Sequence, residues 1–342
     1  MNPELQFPFP EPPEGGEMFE INENLRWIRM ALPFALNHIN LWLIRDTKGW
    51  TAVDSGIAND ATRHCWNNIL GHPDLHDGLN KVVITHYHPD HMGNANWLSK
   101  KMDAPVWISK QEFETGKSVH CASEGYDPRS VSRFFQLNGL PKDQADLAAQ
   151  KGAHYPQLVD ELPEKPNTLK DKQTLDIGQA IWETIEGTGH SPEHMALFNA
   201  SNKVLISGDM LLPKITTNVA VYPSHPDSNP LAAFLQSIER FLSIPDSTLV
   251  LPSHGLPFYG ISARVRQLKV HHEYRLARVA ELCDTPKSAF EVLPALFDRE
   301  LDAYQTFFAM GEAVAHLHYL WSAGELARIH GSDKKTLKFT KA

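Results

Sequence analysis

Ten residues constrain this chain more than any others: Thr85-His86-Tyr87-His88-Pro89-Asp90-His91-Met92-Gly93-Asn94, directly behind the apolar run 81–84. That run predicts a strand, so the motif lies on the loop that leaves the strand's end. In extended chain, alternate residues face the same way, which lets His86 and His88 converge on one ion. Asp90 and His91 follow on a turn, with a helix expected to begin near Asn94, and they offer a second ion its own pair of ligands.

Three later islands supply what a two-ion site still needs: Thr188-Gly189-His190-Ser191, Ser207-Gly208-Asp209-Met210 and Pro252-Ser253-His254-Gly255. Each places a ligand-type side chain beside Gly or just after a predicted strand, on a turn at a sheet edge. A carboxylate has two oxygens and can bridge ions about 3.5–4 Å apart, so Asp209 is the natural bridge, while His190 and His254 each complete one shell. A single His or Asp near a turn is ordinarily a cap or a solvated residue. Seven in this order are not explained that way.

The set resembles the metallo-β-lactamase superfamily, whose HxHxDH signature is intact here and whose later His, Asp and His follow in order. The early turn Asp54-Ser55-Gly56 also matches, and the resemblance covers roughly residues 25–260. It implies that His86, His88 and His190 bind one metal and Asp90, His91 and His254 the other, with Asp209 bridging and Asp54 orienting a ligand from behind. It further implies hydrolysis by a hydroxide on the open metal positions, with Asp90 and Asp209 as the catalytic carboxylates. Nitrogen and oxygen ligands suit zinc first, and iron and manganese accept the same mixture.

Short β-branched and aromatic runs recur at 25–30, 39–45, 50–54, 81–85 and 105–108, and again at 180–185, 195–198, 203–207 and 248–251. Helical patterns at 60–70 and 231–242 lie between some of them. This is an α/β pattern, expected to form an αββα sandwich over residues 21–260 after an N-terminal extension, 1–20. Between 111 and 172 the strand pattern stops, and helical pieces at 127–137 and 141–152 read as an insertion capping a pocket. From 261 to 342 the chain reads as a mostly helical, winged-helix-like domain: helices at 263–283, 288–297 and 307–323, then a basic strand-like tail at 334–341. An amphipathic helix such as 263–283 must cover its apolar face, which suggests a homodimer through the C-terminal helices.

Of the net charge of -9, the segment 264–342 contributes +2, from twelve Lys/Arg against ten Asp/Glu, so the remainder carries about -11. An acidic first domain weakens a broad grip on a polyanion, leaving nucleic acid as the less favoured partner and a small molecule as the favoured one. No apolar run is long enough for a membrane helix, and the start of the chain shows no secretory signal. The three cysteines, Cys65, Cys121 and Cys283, have no CxxC spacing, which fits a reducing cytoplasm. True β-lactamases lack an aspartate at the position of Asp209. Flavodiiron proteins carry a glutamate where His88 stands. RNA-processing members with a large inserted domain need more than the roughly 60 residues after Ile108.

Two hydrolase classes remain: a glyoxalase-II-like or lactonase-like enzyme acting on a thioester, ester or lactone, and a single-strand ribonuclease similar to the lactamase-β-2-like group. A metal-binding module without turnover is the third reading. Tyr155, His194, Tyr222 and His225 are candidate pocket contacts, whereas His271 and His272, on a charged helix, read as surface residues.

Overall fold

Runs that are apolar on one or both faces form two sheets packed face to face, and the connections between parallel strands form the outer helices. In this computed structural model residues 4–333 and 335–342 are described; Met1 to Pro3 of the N-terminal extension and Lys334, the first residue of the expected tail, lie outside the described residues. The first sheet holds seven strands in chain order: β1 (Met18–Asn22), β2 (Leu25–Ala31), β3 (His38–Arg45), β4 (Trp50–Val53), β5 (Leu79–Val83), β6 (Val106–Ser109) and β7 (Asn167–Leu169). Neighbours from β1 to β4 are antiparallel, and those from β4 to β7 are parallel.

A parallel neighbour needs a crossover, and helices supply it. They are α1 (Asp60–Leu70) before β5, α2 (Pro89–Met92) and α3 (Ala95–Met102) before β6, then α4 (Lys110–His120), α5 (Pro128–Leu137), α6 (Lys142–Gly152) and α7 (Tyr155–Leu158) before β7. The second sheet has the order β12-β11-β10-β9-β8, built from β8 (Thr174–Ile177), β9 (Ala180–Gly187), β10 (His194–Asn199), β11 (Val204–Gly208) and β12 (Leu249–Pro252). Only β11 and β12 are parallel there, and α8 (Pro230–Glu239) crosses between them. The chain closes with α9 (Ile261–Leu282), α10 (Ala289–Leu296), α11 (Ala303–Ser322) and the antiparallel hairpin β13 (Leu326–His330) and β14 (Leu337–Lys341).

The alternation along β3 shows how the layers are made. Ile39, Leu41 and Leu43 face the outer helices with Trp66 and Leu98, whereas Trp42 and Ile44 face the second sheet with Trp182 and Leu197. Trp27 and Trp42 stack at 5.8 Å between ring centres in that inter-sheet layer. Each such buried side chain contributes roughly 1.5–3 kcal/mol of transfer free energy. The result is the expected αββα sandwich of the metallo-β-lactamase fold. A third apolar cluster joins the outer face of the second sheet to α5, α6 and the C-terminal helices, so the insertion and the C-terminal segment share one core with the sandwich.

Several elements differ from the sequence reading. The insertion is not strand-free: β7 ends it and completes the first sheet. Within the chain, the apolar stripe of α9 lies against α8, α10 and α11. On that stripe His272 is buried and His271 half-buried, correcting the expectation that both lie on the surface.

His272 Nδ1 lies 3.4 Å from His316 Nε2, and His316 Nδ1 lies 2.8 Å from the Glu312 carbonyl. A neutral pair makes both bonds, with each Nδ1 donating, and leaves His272 Nε2 buried without a partner. Burial drives His272 down from 6.5 to about 2. An unfolded chain takes up this proton below 6.5 and the folded chain does not, so the associated stability is full above that pH and is lost as pH falls. His272→Leu should therefore flatten the acid limb of the stability profile. By pH 5 the wild type should have lost about 2 kcal/mol that the variant keeps, relative to their difference at pH 8. Denaturant melts at both pH values check this; a difference independent of pH would contradict it.

Candidate metal centre

All seven candidate ligands lie beyond strand ends. His86 and His88 follow β5, Asp90 and His91 lie on the short helix α2, His190 follows β9, Asp209 follows β11 and His254 follows β12. The structure gathers them into two groups, His86, His88, His190 and Asp209 in one and Asp90, His91 and His254 in the other. Within each group the ligand atoms all lie within 4.8 Å of one another.

In the first group His86 Nε2 is 2.9 Å from His88 Nδ1 and 3.1 Å from His190 Nε2, which is 3.3 Å from Asp209 Oδ2. In the second, Asp90 Oδ2 lies 3.7 Å from His91 Nε2 and 3.4 Å from His254 Nε2. Asp209 turns its other oxygen there, with Oδ1 at 3.6 Å from His91 Nε2 and 3.5 Å from His254 Nε2. One carboxylate thus presents one oxygen to each group.

The opposite ring nitrogens explain why these atoms are free to bind. His190 Nδ1 is engaged by the Asn218 carbonyl at 2.7 Å, His254 Nδ1 by the His38 carbonyl at 2.8 Å and His91 Nδ1 by Asp54 Oδ2 at 2.7 Å. Each of these partners accepts, so the ring proton stays on Nδ1 and a bare Nε2 lone pair faces inward. Bare nitrogens crowded together repel one another unless a cation lies between them.

Two atoms carry the fit directly: His91 Nε2 and Asp209 Oδ1 are buried without a hydrogen-bond partner. Such groups are costly to bury unless something binds them. Burial and the neighbouring rings hold His86 and His88 well below the ordinary histidine range. Burial opposes charge on His91 too, yet Asp54, Asp90 and Asp209 push it up to about 10. Without a metal that pull holds a proton on His91 Nε2, in the place a divalent metal would take. The residues fit a metal.

Behind the ligands stands a second set of polar groups. Asp54 has a left-handed backbone (φ 63°) and, besides His91, accepts from the Thr85 amide at 2.8 Å and the Thr85 hydroxyl at 3.0 Å. Asn40 donates to the carbonyls of Pro252 and Gly255 and so ties the first sheet to the turn carrying His254. Glu112 on α4, which the sequence reading did not single out, is fully buried. Its Oε2 accepts from the Tyr87 amide at 2.9 Å, and its Oε1 from the Ser191 hydroxyl and the Glu193 amide, both at 2.6 Å. It therefore braces the His86–His88 loop and the His190 loop together. Burial pushes its carboxyl up to about 6, with those three donors pulling against it.

A cavity of about 970 Å³ opens onto the centre, reaching His88, Asp90, His190, Asp209 and His254. Of the four candidate pocket residues, Tyr155 and Tyr222 line it. The Tyr155 hydroxyl is already committed, donating to the Tyr87 carbonyl at 2.6 Å. His194 and His225 are corrections. His194 is buried behind the centre, where its Nε2 accepts from the Asp209 amide at 3.2 Å, under a left-handed Gly208 whose Cβ would strike the ring. His225 is exposed on a turn outside the cavity. Nearness in sequence to a motif turn placed neither of them on the wall.

Fold and centre together define a metal-dependent hydrolase. The sequence profile of the Metallo-beta-lactamase superfamily matches residues 36–254, and that of the Metallo-beta-lactamase-like C-terminal domain matches residues 276–342. The chain belongs to the metallo-beta-lactamase superfamily. It is similar to a beta-lactamase domain protein from Burkholderia ambifaria, with a TM-score of 0.91 and 41% identity over 99% of this chain and 98% of that one. A metallo-beta-lactamase family protein from Thermus thermophilus superposes with a TM-score of 0.79 at 26% identity, covering 94% of this chain and 100% of its own. "Probable metallo-hydrolase YqjP" of Bacillus subtilis (strain 168) is 26% identical over 307 residues, 87% of this chain and 92% of that protein.

Glu112→Gln tests the brace. However the amide turns, its NH2 meets at least one backbone N–H, so one buried donor loses its acceptor, at a cost of about 1–3 kcal/mol. Zinc affinity, measured by competition with a chromophoric chelator, should fall roughly 10–100-fold while the far-ultraviolet dichroism is retained. Unchanged affinity would contradict the role.

Proposed function

We propose that the centre holds two divalent ions, zinc first among the candidates, and that the enzyme hydrolyses a thioester, ester or lactone of a small molecule. His86, His88 and His190 would hold one ion and Asp90, His91 and His254 the other, with Asp209 between them. The observation that carries this reading is the split of Asp209, one oxygen facing each set of bare nitrogens. Bound ions would polarise the substrate carbonyl and lower the pKa of water towards neutrality.

The chain's own residues set the rest of the chemistry. Asp90 reaches the cavity and is placed to orient the attacking water and to take its proton. Asp209 is buried and held well below the ordinary carboxylate range by His254 and His91, which more than offset burial, so it stays an acceptor throughout. Tyr222, pushed up to about 12 by burial, keeps its phenol proton and can donate to a substrate oxygen. The free thiols Cys65, Cys121 and Cys283 accord with a reducing compartment.

A second reading, a single-strand ribonuclease similar to the lactamase-β-2-like group, draws on the C-terminal order of three helices and a hairpin, which supports a winged-helix-like reading of that segment. The length of a nucleic-acid backbone disfavours it, because the cations lining the cavity among the described residues are Lys151 and Arg299, too few for a run of phosphates. The experiment is metal analysis of purified protein with a substrate panel of a thioester, a lactone and a short single-stranded RNA, with and without chelator. Two ions per chain and chelator-sensitive cleavage of the thioester or lactone are expected. Asp209→Ala should lower both metal content and turnover at least tenfold. Cleavage of RNA alone would replace this reading with the second, and chelator-insensitive turnover would overturn both.

A further inference from the structure

The cavity is far larger and more apolar than the metal chemistry requires. At about 970 Å³ it lies at the upper end of the roughly 300–1,000 Å³ that small-molecule pockets span. The metal ligands occupy one part of its wall. Much of the remainder is aliphatic or aromatic, and three stretches supply a large share of it: Phe34 from the loop after β2, Val131 and Leu158 from the insertion, and Leu301 and Phe307 from the turn before α11 and the start of α11. These stretches are locked to one another. Phe34 stacks on Tyr304 at 5.2 Å with the planes 10° apart, and Phe307 packs so closely on Gly152 that a Cβ there would strike its ring. The apolar wall is thus a built surface held by packing between the insertion and the C-terminal helices.

Charges on the wall divide sharply. Among the acids, Asp90 and Asp209 belong to the metal centre, Asp302 caps α11 through the Gln305 amide, and Glu312 is paired with Arg275. The two cations, Lys151 and Arg299, are both exposed and have no ion pair among the described residues. Uncommitted positive charge at an exposed rim, an apolar interior and a hydrolytic centre at one wall together describe the complement of an amphiphile.

We propose that the substrate is an ester or thioester of a medium-length apolar acyl group, lodged between the insertion and the start of α11, with an anionic group on the leaving part held by Lys151 and Arg299. Hydrolysis breaks the bond between acyl carbon and ester oxygen or thioester sulfur. Water supplies a hydroxyl to the acyl carbon and a proton to the leaving group, giving a carboxylic acid and an alcohol or thiol. The inference rests on the ester or thioester reading above.

The test is a chain-length series on the metal-loaded protein, using p-nitrophenyl acetate, butyrate, hexanoate, octanoate and decanoate below their micellar concentrations. It is paired with calorimetric titration of hexanoate and decanoate, which needs no turnover. Each buried methylene should raise kcat/KM about fourfold, chiefly through KM, up to at least the octanoate, and decanoate should bind more than tenfold tighter than hexanoate. Leu301→Asp should cost the decanoate ester at least tenfold more than the acetate. Lys151→Glu with Arg299→Glu should raise KM at least tenfold for decanoyl-coenzyme A and less than twofold for the neutral decanoate ester.

Ester hydrolysis with no dependence on chain length would overturn the acyl pocket while leaving ester hydrolysis standing. Chain-length-dependent binding without hydrolysis of any ester or thioester would support the pocket and overturn the ester reading. Neither length-dependent binding nor turnover would overturn both.

Discussion

Everything in this molecule is arranged around a buried excess of electron pairs. Five histidines turn ring nitrogens, and two aspartates turn oxygens, into a volume a few ångströms across, and two of those atoms have no hydrogen-bond partner. Desolvated acceptors facing one another are unfavourable by several kcal/mol unless a cation sits among them. A fold that keeps them there must hold each one from behind.

That support comes from strand ends and from the groups beyond the ligands. β11 and β12 are buried along their whole length and β5 and β9 over most of their last few residues, so their ends are fixed in place, and each ligand lies only a few residues past such an end. Asp54 fixes His91, carbonyls fix His190 and His254, and Asn40 joins the first sheet to the last ligand turn. Glu112 is the widest of these links, since it joins the loops of β5 and β9 through a helix of the insertion. The insertion therefore has two tasks, bracing the centre on one side and walling the cavity on the other.

What was legible in the sequence follows the same physics. Strands with two buried faces, such as β3 and β4, stand out as unbroken apolar runs, and the dense spacing from His86 to His91 has no ordinary structural explanation. The short edge strands β7 and β8, with mixed exposure, did not stand out from loop. Glu112 was invisible because it sits in the polar run Lys110-Gln111-Glu112, which reads as a solvated helix face until the sheet is laid beneath it. His272 lay hidden for the same reason, and His194 shows the reverse error: next to a motif, yet turned to its back. Tertiary burial of a polar side chain leaves almost no trace in local periodicity.

Anomalous diffraction from crystals grown with zinc, recorded on both sides of the absorption edge, tests the central claim most directly. Two peaks are predicted about 3.5–4 Å apart, one within bonding distance of His86, His88 and His190 and the other of Asp90, His91 and His254, with one Asp209 oxygen on each. A single peak at full occupancy, or two that leave Asp209 without a metal contact, would contradict the account.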